Sequence, residues 1–131
     1  MHINLESDYA VRIVQCLARS HGRVEAQAIA DTATVSLRFT LKIMRKLVAA
    51  GLVKSYKGVH GGYELTRAPA DITMRQVIEA VEGPYRFSRC LDEEYDCTCS
   101  GKAGCPFQLV FDEVTKLVTD KLDTVTFDTL I

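Results

Sequence analysis

Two short β-like runs, residues 52–56 and 63–66, flank Lys57-Gly-Val-His-Gly-Gly62, and no other stretch restricts the fold so tightly. Strand-like segments around a glycine-rich tip predict a β-hairpin. Glycines 58, 61 and 62 permit a tight tip and a close backbone approach. Three helices are expected before it. The first starts near Ser7, with Tyr9, Ile13 and Cys16/Leu17 on one face, and stops around His21-Gly22. Cys16 reads there as a core residue. The second runs over residues 25–33. Thr34-Val35 then turn the chain, and Ser36 caps a third helix that continues to Ala50, ahead of Gly51 at the C′ position. Leu37, Leu41, Met44 and Leu47/Val48 form its expected apolar stripe, with Arg38, Lys42, Arg45 and Lys46 off it. Helix, turn, helix, basic hairpin is the order of a winged helix-turn-helix.

A fourth helix is predicted from Thr73, with Gln76 completing a capping box, to Glu82 and a stop at Gly83-Pro84. Residues 85–104 have no periodicity and read as a loop around a site. Pro106 opens a long helix whose apolar positions are Phe107, Val110/Phe111, Val114, Leu117/Val118 and Leu122. So long a stripe exceeds what a small domain can bury, so a partner, a second copy of the chain, is expected on it. The tail, residues 124–131, suits one more short helical turn. The expected fold is mainly α with a small β-hairpin. It divides into a winged helix-turn-helix domain at 1–83, a cysteine-rich loop at 84–105, and a dimerisation helix with its tail at 106–131.

Charge points to the partner. Residues 36–67 hold seven basic side chains against Glu64 alone, while residues 90–131 hold nine acids against three lysines. Opposite charge in the two halves suits a protein that presents one half to a polyanion. The expected partner is an operator in double-stranded DNA. Early residues of the second motif helix meet base edges, here Ser36, Arg38, Thr40 and Lys42. Lys46, Lys54, Lys57 and His60 are placed for phosphates or the minor groove. The competing reading of the basic helix face is solvated surface. A phosphate-cradling enzyme loop at 58–62 lacks the following Lys-Ser/Thr. No Ser/His/Asp set, paired catalytic carboxylates or nucleotide loop stands out, which argues against an enzyme. No apolar run spans a bilayer, and residues 1–9 carry no signal-peptide core, so a cytoplasmic location is expected.

Five cysteines complete the reading, and Cys90, Cys97, Cys99 and Cys105 fall close together. In a reducing compartment, clustered cysteines bind metal or sense redox state more often than they form structural bridges. The paired CxxC spacing of structural zinc sites is absent, whereas iron–sulfur clusters accept varied thiolate spacings. Cys105 precedes a helix N-terminus, which favours its thiolate. An iron–sulfur cluster, a thiol–disulfide switch and zinc all stand as readings here. Two other functions compete: a small electron-transfer or cluster-carrier protein, which has no need of a basic helix and wing, and a DNA-binding regulator that senses a metabolite or a partner.

Several motifs resemble the Rrf-two family of winged-helix regulators, in its IscR/NsrR-like, iron–sulfur form. They are Ser7-Asp8-Tyr9-Ala10-Val11, Gln27-x-Ile29-Ala30, Leu47-x-x-x-Gly51-Leu52-Val53, Gly58-x-x-Gly61-Gly62-Tyr63-x-Leu65, Ile72-Thr73 and Val77-Ile78-x-Ala80-Val81-Glu82-Gly83. The resemblance covers essentially the whole chain. It implies a homodimer with crossed long helices, a cluster near the dimer interface, and DNA affinity that depends on the cluster's state. It implies three cysteine ligands, with Cys90 and Cys105 outermost and either Cys97 or Cys99 between them. The histidine expected three residues after the last cysteine in one branch is Gln108 here. The alternative fourth ligand, an aspartate near the N-terminus reaching across the dimer, is matched by Asp8, and the extra cysteine could fill the same role.

Overall fold

The computed structural model describes residues 2–98 and 105–131. α1 (Leu5–Arg19) opens at Leu5 rather than Ser7 because the Asn4 side chain caps it, accepting from the Ser7 N–H at 2.8 Å. Ser7 is thereby turned inward, and its hydroxyl donates to Glu82. α2 (Ala26–Ala33) ends at Thr34, the one non-glycine residue with positive φ (57°) among the described residues. α3 (Leu37–Ala49) follows, capped by Ser36 as expected. β1 (Val53–Tyr56) pairs antiparallel with β2 (Gly62–Leu65), in the register Val53 to Leu65 and Tyr56 to Gly62. α4 (Met74–Glu82) carries the full Thr73/Gln76 capping box. α5 (Pro106–Thr124) starts behind Cys105. Short 3-10 turns occupy Pro69–Asp71, Arg89–Leu91 and Phe127–Leu130.

One core unites these elements. Ala10, Ile13, Val14 and Leu17 of α1 meet Ile29 of α2, Ile43, Met44 and Leu47 of α3, Leu52 and Val53 at the hairpin base, and Val77 and Val81 of α4. Burying each large side chain of this kind contributes roughly 1.5–3 kcal/mol. The C-terminal tail belongs to the same core. Phe127 is 1% exposed. The backbone around it pairs with the start of α4, Phe127 N–H to the Ile72 carbonyl at 3.1 Å and Met74 N–H to the Val125 carbonyl at 2.8 Å. The expected helical turn in the tail is present, and it closes the winged-helix core from below.

The inward face of α3 is Thr40, Ile43, Met44 and Leu47, whereas Leu37 and Val48 sit at its margin, 39% and 37% exposed. The buried face is thus rotated by part of a turn from the expected leucine stripe. This overturns one assignment: Thr40 is wholly buried and cannot meet a base edge. Its hydroxyl oxygen has no hydrogen-bond partner among the described residues. A buried hydroxyl without a partner costs stability that an apolar group of similar shape does not. Thr40→Val should therefore raise the unfolding free energy by about 1 kcal/mol, read from urea denaturation. A lower midpoint would mean that the hydroxyl is satisfied in solution.

Candidate nucleic-acid interface and cysteine loop

With Ile43, Met44 and Leu47 facing the core, helical geometry turns Arg38, Lys42 and Arg45 outward, and all three are exposed. The Ser36 hydroxyl is used in capping, accepting from the Phe39 N–H at 3.2 Å. Its side chain is exposed at the head of α3. Lys42 and Lys46, one turn apart, both reach Glu6 of α1: Nζ of Lys42 lies 2.5 Å from one carboxylate oxygen and Nζ of Lys46 lies 2.6 Å from the other. Lys46 also donates to the Val81 carbonyl of α4 at 3.3 Å. The hydrogen bond from Lys42, followed by that from Lys46, holds the Glu6 carboxyl below its ordinary value. Tyr9 meets Phe39 edge-on, with 5.7 Å between ring centroids, so α1 braces α3 by both charge and aromatic contact.

The wing is held at its outer edge by the link between α1 and α2. Val24 exchanges two backbone hydrogen bonds with Tyr63, both 2.9 Å, as a third strand would. Beside it, the Arg23 guanidinium lies 3.4 Å from the Tyr56 ring centroid and donates to the His60 carbonyl at 3.2 Å. Lys54 also approaches the Tyr56 ring, at 5.2 Å, and the Tyr56 hydroxyl bonds Glu64. Lys54, Lys57 and His60 are exposed along the hairpin. Sequence reasoning missed Arg23 and Glu6. Both lie outside the motif that suggested DNA contact, and their partners are distant in sequence.

The cysteines divide into two kinds. Cys16 is buried in the core, and burial pushes its thiol up. Cys90, Cys97 and Cys105 are half-buried and form no disulfide among the described residues; Cys99 lies outside them. Cys90 sits in the Arg89–Leu91 turn, capped by Ser88, and Cys105 is the N-cap residue of α5. The Gln108 amide donates to the Cys90 carbonyl at 3.4 Å, so the turn bearing Cys90 rests on the first turn of the helix that Cys105 heads. Three half-buried thiols suit a thiophilic group in kind. Among the described residues, no three His, Cys, Asp or Glu side chains are gathered as a metal site. Asp8 forms an ion pair with Arg12 at 2.7 Å on the outer face of α1.

α5 is docked on α4 through Arg75, which reaches Asp123 at 2.7 Å and Glu79 at 3.1 Å. The Phe87 backbone donates to Thr115, and the Phe87 ring stacks obliquely on Phe111. Val114, Val118 and Leu122 face a groove of about 770 Å³ shared with Ile78 of α4. Phe107, Leu109, Val110 and Leu117 remain more than half exposed.

A helix-turn-helix followed by a braced two-stranded wing defines a winged-helix DNA-binding regulator. The chain belongs to the Rrf2 family, described as an iron-dependent transcriptional regulator, which it matches over residues 3–131. It is 32% identical to Protein rrf2 of Nitratidesulfovibrio vulgaris over its full length and 87% of that protein. It is 34% identical to the HTH-type transcriptional regulator CymR of Bacillus subtilis, over 72% of this chain and 70% of CymR. Among solved structures, T. potens IscR superposes with a TM-score of 0.76 at 26% identity, covering 99% of this chain and 85% of that one. CymR, described as the global cysteine regulator of B. subtilis, gives 0.78 at 26% identity, covering 99% and 95%. The protein is thus a transcriptional regulator, as its relatives are named. No helix among the described residues is long and apolar enough to cross a membrane.

Proposed function

We propose that the chain is a homodimeric transcriptional repressor whose operator affinity is set by an iron–sulfur cluster in the loop 84–105. The observation that carries this is the Gln108 bond to the Cys90 carbonyl, which tethers the turn of Cys90 to the head of the helix behind Cys105. Cys90 and Cys105 are the outer ligands, Cys97 or Cys99 the middle one. The fourth is the remaining cysteine or Asp8 reaching across the dimer, which would first have to leave Arg12. A bound cluster supplies a centre reactive toward oxidants and nitric oxide and sensitive to iron supply.

The chain's own residues do the rest. Arg38 and Lys42 read base edges from α3, with Ser36 at its head. Lys46, Lys54, Lys57 and His60 contact phosphates or the minor groove. The exposed apolar side chains of α5 pack against a second copy. These roles support a division into DNA-binding domain (1–83), sensor loop (84–105) and dimer helix with its tail (106–131), the tail after Thr124 returning to the core of the first. The loop joins α4 to α5, so a change in its conformation alters the spacing of the two α3 helices against half-sites about one DNA turn apart. A hundredfold change in DNA affinity needs only about 2.7 kcal/mol of such coupling.

Likeness to CymR favours a second reading, in which the same thiols act through oxidation or a partner without a cluster. One purification without oxygen separates the two. Brown protein with matched iron and sulfide, bleached in Cys90→Ala and Cys105→Ala, is the expected result. Cys97→Ala, Cys99→Ala and Asp8→Ala then identify the other ligands. Colourless protein without iron or sulfide would overturn the cluster and leave the thiol reading.

A further inference from the structure

We propose that Glu6 is a built-in brake on DNA affinity: its carboxylate occupies two α3 lysines that DNA would otherwise recruit, Lys42 for base edges and Lys46 for phosphate at an operator, and both for phosphate on a duplex without one. The inference deepens the DNA-binding reading above and rests on it.

Glu6 takes Lys42 on one oxygen and Lys46 on the other, 2.5 and 2.6 Å away. It does so from a different helix, so the contact is no by-product of local helix spacing. The lysine side chains remain 53% and 37% exposed, whereas that of Glu6 is 20% exposed. The cations are therefore open to a competing anion from outside, while the acid is held behind them. Neighbouring bonds keep the acid in place. Asn4 N–H and the Ser7 hydroxyl both bond Glu82, pinning the start of α1 to the end of α4. Lys46 reaches the same end of α4 at the Val81 carbonyl. The outer basic face of α3 thus presents less free charge than its sequence shows. DNA gains the two lysines only by taking them from Glu6 or by sharing them against its negative charge. The ion pair also lies where α4 hands over to the loop at Gly83, so its strength varies with how that end of α4 is held.

The test uses the intact protein, wild type and Glu6→Gln, with an end-labelled mixed-sequence duplex of about three turns, because phosphate contacts are independent of sequence. Affinity is measured from low to moderate salt. The expected result is about three- to tenfold tighter binding by Glu6→Gln near 0.1 M salt. The salt dependence should steepen by about one to two units of slope as one or two lysines gain phosphate partners. The gain should vanish in a Lys42→Gln/Lys46→Gln background. Thermal unfolding of each variant separates altered binding from altered folding. Equal or weaker binding by a folded Glu6→Gln protein overturns the brake and makes Glu6 a scaffold for the lysines. A wild-type protein that binds no duplex even at low salt fails the DNA-binding reading itself.

Discussion

Phe127→Ala is expected to cost about 3–5 kcal/mol of stability, the range for emptying a buried aromatic site. For a domain of this size that is a large part of the whole. The size of the effect follows from where the tail goes. Phe127 is 1% exposed in the cluster that holds Ile13, Ile72 and Val77. Its own N–H bonds the Ile72 carbonyl, the Thr73–Thr126 bridge lies beside it, and Gln15 donates to the Leu130 carbonyl at 2.6 Å. A cavity there weakens the tail's hold on both α1 and α4. The tail also fixes the far end of α5, so the variant should loosen that helix on α4 before global unfolding. Urea denaturation gives the first quantity, and hydrogen exchange of the α5 amides gives the second. A loss below about 1 kcal/mol would mean that the tail is undocked in solution, because an exposed phenylalanine has little burial to lose.

The importance of that phenylalanine was not legible in the sequence. Residues 124–131 suggested a short turn and nothing more, because burial of a lone aromatic near a chain end depends on elements far away. Local signals succeeded where local physics decides. Ser36, the Thr73/Gln76 box, Pro106 and Gly83 marked helix ends correctly because capping is settled within a few residues. The hairpin appeared within a residue of its expected limits. Failure came where two assignments fit one helix. In α3 a leucine stripe and a Thr40–Ile43 stripe share Met44 and Leu47, and only packing against α1, α2 and α4 chooses between them, so Thr40 falls inside rather than on the DNA-facing side. At the candidate interface, Arg38 and Lys42 emerged exposed as expected. Glu6 and Arg23 went unseen because each meets its partner across more than thirty residues.

Gly62→Ala should cost about 2–4 kcal/mol and weaken DNA binding in the protein that remains folded, about tenfold. Gly62 opens β2 at φ 144° and lies against the Val24 backbone. A Cβ built there would stand 2.7 Å from the Val24 carbonyl oxygen and 3.0 Å from its carbon. Neither atom can swing aside as a side chain would. The hairpin would have to move off the α1–α2 connection, lengthening the paired Val24–Tyr63 bonds and lifting Tyr56 from Arg23. The wing's lysines would then lose their fixed position relative to α3, so affinity falls even though no basic residue is removed. Gly58 supplies the control. Its φ is 96°, but a Cβ there meets nothing within 4 Å among the described residues. Gly58→Ala therefore carries backbone strain alone, about 1 kcal/mol, with the Val24 clamp intact. Urea midpoints and duplex affinities of the two variants, compared below the unfolding transition, separate the clamp from the turn. Equal losses in both would mean that glycine is needed only for its φ and that the wing is not held by the connection beside it.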